Sequence, residues 1–525
     1  MTAIAFKNFK FIILLFIISL IACKNQEEAK KESKTTQTKP NIVFIYMDDL
    51  GYGDVSSYGA TELQTPNIDR LADGGIKFTK GYASSATCTP SRYAILTGSY
   101  PWRNENAKIL PGTAPLIIDT TQMTIPKMLK QEGYNTAVVG KWHLGLGLGN
   151  VNWNSHVKPG PNEVGFDYSY IMAATQDRVP TVYLKDGYVE NLDPNDPIEI
   201  DYDNEFEGEK TGYNSPELVT MKADKQHNNT VVNGVPRIGH MTGGEAARWS
   251  DIDMADHFLE KAQNYVKDQK DKTSPFFLYY ALQQPHVPRT PHPRFEGKTG
   301  LGPRGDAIIE ADWMLGKFIK TLKNEGLMEN TLIVFSSDNG PVLNDGYEDD
   351  AVEKLGDHKP WGIYRGGKYS LFEAGTRIPL VTYWKGKIKS GVSDAMVSQI
   401  DLFNSIADLV GSDLRTDDGK NLLDVFMGKS FEGRDQMIIE AMSRTAFKKG
   451  DWVMIPPYKG PRVFKGKNIE TANAGNYQLY DLKEDPSQQD NLSKSNPEKL
   501  QELKDEFRKI RGNPYEKVKP ATFKK

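Results

Sequence analysis

Residues 41–49 read Asn-Ile-Val-Phe-Ile-Tyr-Met-Asp-Asp, an apolar run that ends abruptly in two carboxylates. An uninterrupted apolar run of this length is typical of a strand that is buried on both faces of a parallel sheet. Three later runs, at 136–139, 276–282 and 331–335, share this pattern, and helical patterns lie between the strands at 122–132, 251–270 and 306–322. The alternation predicts an α/β fold with a large, mixed but mostly parallel central sheet flanked by helices.

Polar side chains follow each of the four runs: Asp48 and Asp49, Lys141 and His143, His286, and Asp338 with Asn339. Ligands of such sheets bind beyond the carboxyl ends of the strands, so we expect these groups to meet at one edge. Three carboxylates and a carboxamide placed there would repel one another unless a cation balanced them, and an all-oxygen set favours calcium or magnesium over zinc. Each piece alone also fits a simpler interpretation, because Asp-Asp often caps a helix and Asp-Asn-Gly often forms a turn.

Residues 88–98 read Cys-Thr-Pro-Ser-Arg-Tyr-Ala-Ile-Leu-Thr-Gly. Proline belongs in the first turn of a helix, which places Cys88 at a helix N-terminus where free N–H groups and the helix dipole favour an anion. Arg92, about one turn further on, could add a fixed positive charge, and a cysteine in this position is expected to ionise easily. The pattern indicates a nucleophile beside an oxyanion site; the alternative is a buried structural cysteine.

The stretch from Cys88 to Arg92, with Leu96-Thr97-Gly98 after it, resembles the maturation and active-site motif of the type I sulfatases. Three further segments are similar to motifs of that family: Gly140-Lys141-Trp142-His143-Leu144-Gly145, Pro285-His286-Val287-Pro288 and Gly366-Gly367-Lys368. The resemblance covers residues 40–510. It implies an alkaline-phosphatase-like fold and hydrolysis of sulfate monoesters.

The resemblance also implies the cofactors. Cys88 is expected to be oxidised to formylglycine (3-oxoalanine) by a formylglycine-generating maturation enzyme, and the hydrated aldehyde is then the nucleophile. One calcium ion is expected, with ligands from the residues Asp48, Asp49, Cys88, Asp338 and Asn339.

The catalytic roles follow from the same resemblance. Lys141, Lys368 and Arg92 are expected to bind the sulfate oxygens. His143 is expected to contact the nucleophile, and His286 is expected to face the oxygen of the departing alcohol.

Substrate recognition is less sharply indicated. A hydroxyl-bearing residue often completes the sulfate pocket of the family, and Thr175 is the preferred match, with Ser169 as its competitor. Arg178 lies beside it, and the irregular stretches 181–245 and 344–364 predict binding loops, with His358 and the adjoining Arg365 as candidate contacts. Mobile surface loops are the alternative for these stretches. The resemblance implies a sulfated polysaccharide, algal or glycosaminoglycan, or its oligosaccharides as substrate.

The N-terminus reads as a targeting segment. Lys7 and Lys10 precede an apolar run at 11–21, and Ala22-Cys23 follows. Residues 20–23 resemble a bacterial lipoprotein box, which implies a signal peptide at 1–22, a palmitate-bearing lipid anchor on Cys23 and an exported, membrane-anchored protein; an ordinary secretory peptide is the alternative. The charged residues 23–39 are expected to be a disordered tether. A disulfide between residues 23 and 88 is not expected.

The charge composition and the pattern of predicted elements indicate the class of partner and the domain organisation. The 525 residues carry 65 basic and 69 acidic side chains, a balance that argues against a nucleic-acid partner.

Residues 40–425 are predicted to be the catalytic domain. Short strands at 437–439, 452–455 and 477–482, with a helix at 498–510, predict a small C-terminal α+β subdomain of antiparallel strands over residues 426–525.

Two other functions stay open at this point. A phosphate or phosphonate ester hydrolase could share the scaffold, although a two-zinc site would need extra histidines near Asp338, and only His358 is close in sequence. The other alternative is an inert glycan-binding lipoprotein, which predicts an unmodified thiol at Cys88.

Overall fold

Ten strands form the central sheet of the protein, as seen in a computed structural model that describes residues 39–149, 151–516 and 523–524. The predicted signal peptide, the lipidation site Cys23 and the tether up to residue 38 lie outside the described residues. In chain order the strands are β1 (Asn41–Met47), β2 (Ile76–Phe78), β3 (Asn135–Lys141), β4 (Tyr168–Met172), β5 (Tyr183–Lys185), β6 (Tyr188–Val189), β7 (Phe276–Ala281), β8 (Thr331–Ser337), β9 (Leu380–Tyr383) and β10 (Gly391–Ser393).

The strand order across the sheet is β10-β2-β9-β8-β1-β7-β3-β4-β5-β6. The five central strands, from β8 to β4, run parallel, and antiparallel pairs occur on either side of them. The four apolar runs of the sequence are therefore neighbours whose carboxyl ends share one edge. The predicted mixed, mostly parallel α/β sheet is confirmed.

Helices cover both faces of this sheet, which explains why β1 is apolar at every position. Ile42, Phe44 and Tyr46 belong to the core on one face, whereas Val43 and Ile45 belong to the core on the other. The first face packs against α2 (Cys88–Thr97), α3 (Ile125–Gln131) and α6 (Asp401–Val410). The second packs against α1 (Pro66–Gly74), α4 (Met254–Gln269) and α5 (Gly302–Asn324). A short helix, α7 (Leu423–Phe426), follows α6.

The C-terminal region contains the predicted antiparallel sheet with one helix against it. Its strands are β11 (Gln436–Ala441), β12 (Arg444–Lys449), β13 (Trp452–Ile455) and β14 (Gln478–Asp481), and the helix is α8 (Pro497–Arg511). Leu503 and Phe507 of α8 share a core with Phe447 and Leu479 of the sheet. The sequence prediction lacked β12, because its three charged residues mask the apolar face.

Four two-stranded pairs and one pair made with the C-terminal residues complete the strand inventory. They are Gly81–Tyr82 with Val397–Ser398, Glu199–Asp201 with His240–Thr242, Val231–Val232 with Val235–Pro236, Val463–Phe464 with Ile469–Glu470, and Arg415–Thr416 with Phe523–Lys524. None of the helices within the described ranges has both the length and the apolarity of a membrane span.

Glu440 on β11 gives the fold a pH-dependent stability. Burial raises the pKa of this carboxyl from 4.5 to about 8, against the opposing hydrogen bond from the Ser443 N–H. The folded state therefore keeps a proton that the unfolded chain releases, so stability falls as pH rises from about 4.5 to about 8. We expect Glu440→Gln to raise the melting temperature at pH 8 and to leave it nearly unchanged at pH 4.5. The exposed Glu432→Gln is the control, and an equal effect of Glu440→Gln at both pH values would refute the explanation.

Candidate active site

The carboxyl ends of the central strands deliver charged groups to one buried cluster. Asp48 and Asp49 follow β1, Asp338 and Asn339 follow β8, and Lys141 is the last residue of β3. All five are fully shielded from solvent. Burial of this many charges is costly unless they pair with one another or with an ion.

The cationic side chains of the cluster are paired with its carboxylates. Lys141 Nζ lies 2.5 Å from Asp48 Oδ2, and Lys368 Nζ lies 2.8 Å from Asp49 Oδ2. Arg92 donates from Nε and Nη2 to Asp338 Oδ2 at 3.0 and 2.8 Å. The structure thus brings together residues from α2, three strand ends and the loop at 368, which are up to 320 positions apart in sequence.

Two non-glycine residues of the cluster have a strained backbone. Asp49 has φ 63° and His143 has φ 54°, in the left-handed region. Such conformations cost about 1–3 kcal/mol each and persist where the surroundings hold them. The Asp49 N–H donates to Asp338 Oδ1 at 3.2 Å, and Thr89 Oγ1 donates to the His143 carbonyl at 2.9 Å. Both residues are therefore fixed in place by other members of the site.

Cys88 is the first residue of α2 and is buried beside His143. The sequence suggested a readily ionised thiol, but this expectation is wrong for the free cysteine. Burial raises the pKa of Cys88 above its usual value of 9.0, although Lys141 and Lys368 act in the opposite direction. At neutral pH the unmodified side chain is a thiol, and a thiol is a weak nucleophile.

His143 is oriented as a proton acceptor for residue 88. Its Nδ1 lies 3.3 Å from Cys88 Sγ, and its Nε2 lies 3.0 Å from the Leu110 carbonyl. A carbonyl only accepts, so Nε2 carries the hydrogen and the Nδ1 lone pair faces residue 88. Burial, with the nearby Lys141, holds the pKa of His143 well below 6.5 and keeps the ring neutral.

The carboxylate cluster has the donor set of a metal site. Ligand atoms of Asp48, Asp49 and His286 all lie within 4.8 Å of one another. Asp48 Oδ1 and Asn339 Oδ1 are buried and have no hydrogen-bond partner among the residues that the structure describes. Buried oxygens without partners are rare in proteins, and a hard cation would satisfy both. The residues present therefore fit a divalent metal, with His286 beside the predicted oxygen ligands.

The electrostatics of the carboxyls fit the same conclusion. Burial and the neighbouring Asp338 raise the pKa of Asp48 well above 3.8. Burial also opposes ionisation of Asp338, but Arg92 and Lys141 outweigh it and hold the pKa of Asp338 below 3.8. Buried carboxylates that lie close together repel one another, and a bound cation stabilises their ionised forms by supplying positive charge.

A cavity of about 360 Å³ opens above Cys88. Its deep wall includes His143, His286 and Lys368. Its outer wall comes from several loops and combines apolar side chains with polar ones, and the polar members include Asp177, Arg178, Tyr202, His227, Asp345 and Lys467. The size suits one sugar ring with its substituents.

Four residues proposed from sequence as substrate contacts have different positions. Arg178 lines the cavity, whereas Thr175 lies behind it and accepts a hydrogen bond from Arg178 Nη1 at 2.6 Å. Its competitor Ser169 lies on β4 and donates to Asn162, away from the cluster. Arg365 pairs with Glu470 outside the cavity lining.

His358 is also absent from the cavity lining that the described residues form, and its partners explain why. It is buried, and its Nε2 lies 2.8 Å from Asp54 Oδ1, which Arg304 contacts as well. The structure therefore does not bring His358 to the cavity above Cys88. It also does not bring His358 to Asp338 as the extra histidine ligand of a two-zinc site.

Several polar residues of the cavity were not predicted from the sequence. Asp345 accepts from Lys368 Nζ at 2.8 Å and from the Tyr369 hydroxyl at 3.0 Å. Asp177 accepts from Arg178, and its Oδ2 lies 3.5 Å from His227 Nε2. The loops that carry Asp345 and His227 were predicted to be binding loops, but nothing in their composition distinguished these residues from their polar neighbours.

The fold and the site define an α/β protein in which a buried carboxylate cluster, with the donor set of a metal site, lies beside Cys88 and His143. Residues 40–412 match the Sulfatase family. The chain is 48% identical over 491 residues to an N-acetylgalactosamine-6-O-sulfatase of Bacteroides thetaiotaomicron, covering 93% of this chain and 96% of the relative. It is 29% identical to human arylsulfatase A, covering 89% of this chain and 86% of the relative.

A solved structure supports the same assignment. It comes from work on glycosaminoglycan metabolism by Bacteroides thetaiotaomicron, is 48% identical, has a TM-score of 0.88 and covers 90% of this chain and 99% of its own. A Pseudoalteromonas sulfatase at 23% identity and TM-score 0.68 shares the fold. The chain belongs to the sulfatase family and is a sulfuric ester hydrolase.

Proposed function

We propose that the protein removes 6-O-sulfate from N-acetylgalactosamine units of glycosaminoglycan chains or their oligosaccharides. The observation that carries the proposal is that Cys88, His143 and Lys368 line one cavity of sugar size, and that Lys368 also contacts the buried carboxylate cluster, which includes the ion pair of Lys141 with Asp48. The sugar and the position of its sulfate rest on the 48% identity to an N-acetylgalactosamine-6-O-sulfatase over nearly the whole chain.

The proposal includes two groups that the chain acquires. Residue 88 would be converted from Cys88 to formylglycine by a maturation enzyme, and its hydrated form would provide the attacking oxygen. Asp48, Asp49, Asp338 and Asn339, together with residue 88, would hold one calcium ion, which would supply positive charge at the site.

The side chains of the cluster then have defined tasks. Lys141 and Lys368, whose ammonium groups reach Asp48 and Asp49, bind sulfate oxygens and stabilise the charge that develops during transfer. Arg92 was also predicted to bind sulfate oxygens, but it is buried and does not line the cavity, and its guanidinium instead holds Asp338 in place. Neutral His143 accepts a proton from residue 88 through Nδ1.

His286 is proposed to protonate the departing oxygen of the sugar. Its Nδ1 lies 2.6 Å from the Val287 carbonyl, so Nε2 is the nitrogen available to the substrate. Burial and the nearby Lys368 and Lys141 hold the pKa of His286 well below 6.5. A bound sulfate ester would bring a negative charge beside the ring, which acts against this lowering of the pKa.

The outer wall supplies contacts for sugar hydroxyls. Arg178 donates from Nη1 to Asp177 and Thr175, and His227 lies between Asp177 and Asp224. This arrangement offers fixed donors and acceptors side by side, which is how proteins distinguish the orientation of a hydroxyl.

A panel of sulfated sugars tests the proposal directly. We expect the mature, calcium-loaded enzyme to act on 6-sulfated N-acetylgalactosamine with kcat/KM at least about 100-fold above the values for its 4-sulfate and for 6-sulfated N-acetylglucosamine, because a mispaired buried polar group costs several kcal/mol. Sulfate release followed by ion chromatography measures the rates. Preference for the 4-sulfate, or for an aryl phosphate over every sulfate, would overturn the proposal.

We further propose that the protein is exported and anchored in the membrane by a lipid on Cys23, with residues 1–22 removed. The support is the sequence pattern of residues 7–23. Metabolic labelling with palmitate should label the wild-type protein and leave Cys23→Ala unlabelled. Release of unlabelled wild-type protein into the soluble fraction would count against the anchor.

A further inference from the structure

A second cavity adjoins the catalytic one. It measures about 490 Å³, and its walls include Lys359, Trp361, Ile363, Arg365 and Gln489. Lys467 is the single residue that lines both this groove and the cavity above Cys88, as far as the described residues define them. The two cavities therefore approach each other at Lys467.

The wall between the two cavities is a packed element. It is the hairpin formed by Val463–Phe464 and Ile469–Glu470, with the turn Lys465–Lys467 at its tip. Phe464 faces the catalytic cavity and contacts Tyr369 with ring centroids 5.4 Å apart. Ile469 faces the groove and shares a small core with Val342 and Tyr369. This packing fixes Lys467 in position.

Lys467 presents a buried ammonium at the junction. The residue is 8% exposed, and its Nζ lies 3.0 Å from Asp345 Oδ1 and 3.7 Å from Asp224 Oδ2. Nζ makes no hydrogen bond of good geometry to any described residue, and Asp345 already accepts hydrogen bonds from Lys368 and Tyr369. An ammonium has three donors, so an anionic group at the junction would satisfy donors that the protein leaves open.

The rest of the groove has the chemistry of a carbohydrate subsite. Trp361 is partly exposed, and Ile363, which is 65% exposed, extends its apolar surface. Lys359 is exposed at the rim. Arg365 and Glu470 form a bidentate ion pair that fixes polar groups in the wall. A flat aromatic surface with fixed polar groups around it suits a sugar ring, which has apolar C–H faces and hydroxyl edges.

We propose that this groove binds an acidic sugar that is covalently linked to the sulfated sugar in the catalytic cavity. Lys467 contacts the carboxylate of that neighbouring unit, and Trp361 packs against its ring. The inference rests on the proposed function and extends it, because the enzyme would then recognise two neighbouring sugars of the chain, the sulfated one and the acidic one, instead of the sulfated sugar alone.

Three kinds of probe separate chain length from charge. They are 6-sulfated N-acetylgalactosamine alone, oligosaccharides that carry a uronate on one or the other side of this sugar, and the same oligosaccharides with the carboxylate reduced to an alcohol. We expect the mature enzyme to show kcat/KM about 10-fold or more higher for one of the uronate oligosaccharides than for the single sugar. Trp361→Ala should remove most of this gain while changing the single-sugar rate less than about 2-fold. These magnitudes match the worth of one stacked ring or charged hydrogen bond.

The charge test uses Lys467→Met. This variant should lose the preference for the uronate over its reduced form, whereas Lys465→Met, on the same turn but outside both cavities, should keep it. Phe431→Ala, an exposed ring elsewhere, is the control for Trp361→Ala. Equal rates on single sugar and oligosaccharides, or an unchanged uronate preference in Lys467→Met, would overturn this inference alone. A wild-type enzyme inactive on every 6-sulfated probe would overturn the proposed function together with it.

Discussion

Cys88→Ser is expected to lower kcat by a factor on the order of 10⁴ or more while the protein still folds. Serine keeps the size of the side chain and one oxygen, but it lacks the second oxygen of a hydrated aldehyde, which would lose its proton, re-form the aldehyde and expel sulfate together with the first oxygen. Cys88 is buried, with His143 as its side-chain neighbour, so the exchange creates no cavity of consequence. Steady-state kinetics and a melting curve measure the two effects.

The comparison requires a host whose maturation enzyme does not convert serine. Thr97→Ser, at the other end of α2, keeps the hydroxyl and removes only a methyl group. It should keep near wild-type activity, since Thr97 Oγ1 donates only to the Tyr93 carbonyl in its own helix. Multiple turnovers at near wild-type rate by Cys88→Ser would exclude the proposed nucleophile.

Asp48→Asn is expected to lower activity by about 10³-fold and to abolish stabilisation by calcium. Asp48 Oδ1 is one of the two oxygens of the carboxylate cluster that have no hydrogen-bond partner among the described residues, and its carboxylate supplies charge that a metal needs. Asparagine retains an acceptor for Lys141 and so avoids a bare buried ammonium. For the wild type, calcium at 100 times its Kd should add about 2.7 kcal/mol to the free energy of unfolding. Melting curves in calcium and in EGTA measure the difference.

Asp312→Asn provides the matched control for this prediction. Asp312 is also a buried carboxyl, with a pKa raised by burial to about 6, but it binds the backbone N–H groups at the start of α1. This variant should be less stable and should still melt at a higher temperature in calcium. A calcium effect that persists in Asp48→Asn, or wild-type activity that survives EGTA, would place the metal elsewhere or exclude it.

Much of the fold was predictable because the central strands are buried on both faces. An apolar run that stops at charged residues, as at Asp48 and Asp338, predicts a buried strand and also shows which residues follow its carboxyl end, where ligands bind. Parallel pairing then brings the ends of β1, β3, β7 and β8 to one edge of the sheet.

The substrate walls were not predictable in this way, because their geometry depends on partners that are distant in sequence. His358 resembled a binding residue, yet it pairs with Asp54, which lies 304 positions earlier. Arg365 pairs with Glu470, 105 positions later. Lys467 comes from a hairpin of the C-terminal region and reaches the catalytic cavity only through tertiary packing. Composition marks such loops as polar but does not say which side chains face the substrate.

Mass spectrometry of the peptide spanning residues 81–92 tests the central claim most directly. Cleavage after Lys80 and Arg92 isolates Cys88 from every other cysteine of the chain. In active protein produced with a maturation enzyme, we predict an aldehyde at residue 88 that reacts with a carbonyl reagent. An unmodified thiol at this position in a fully active preparation would contradict the account.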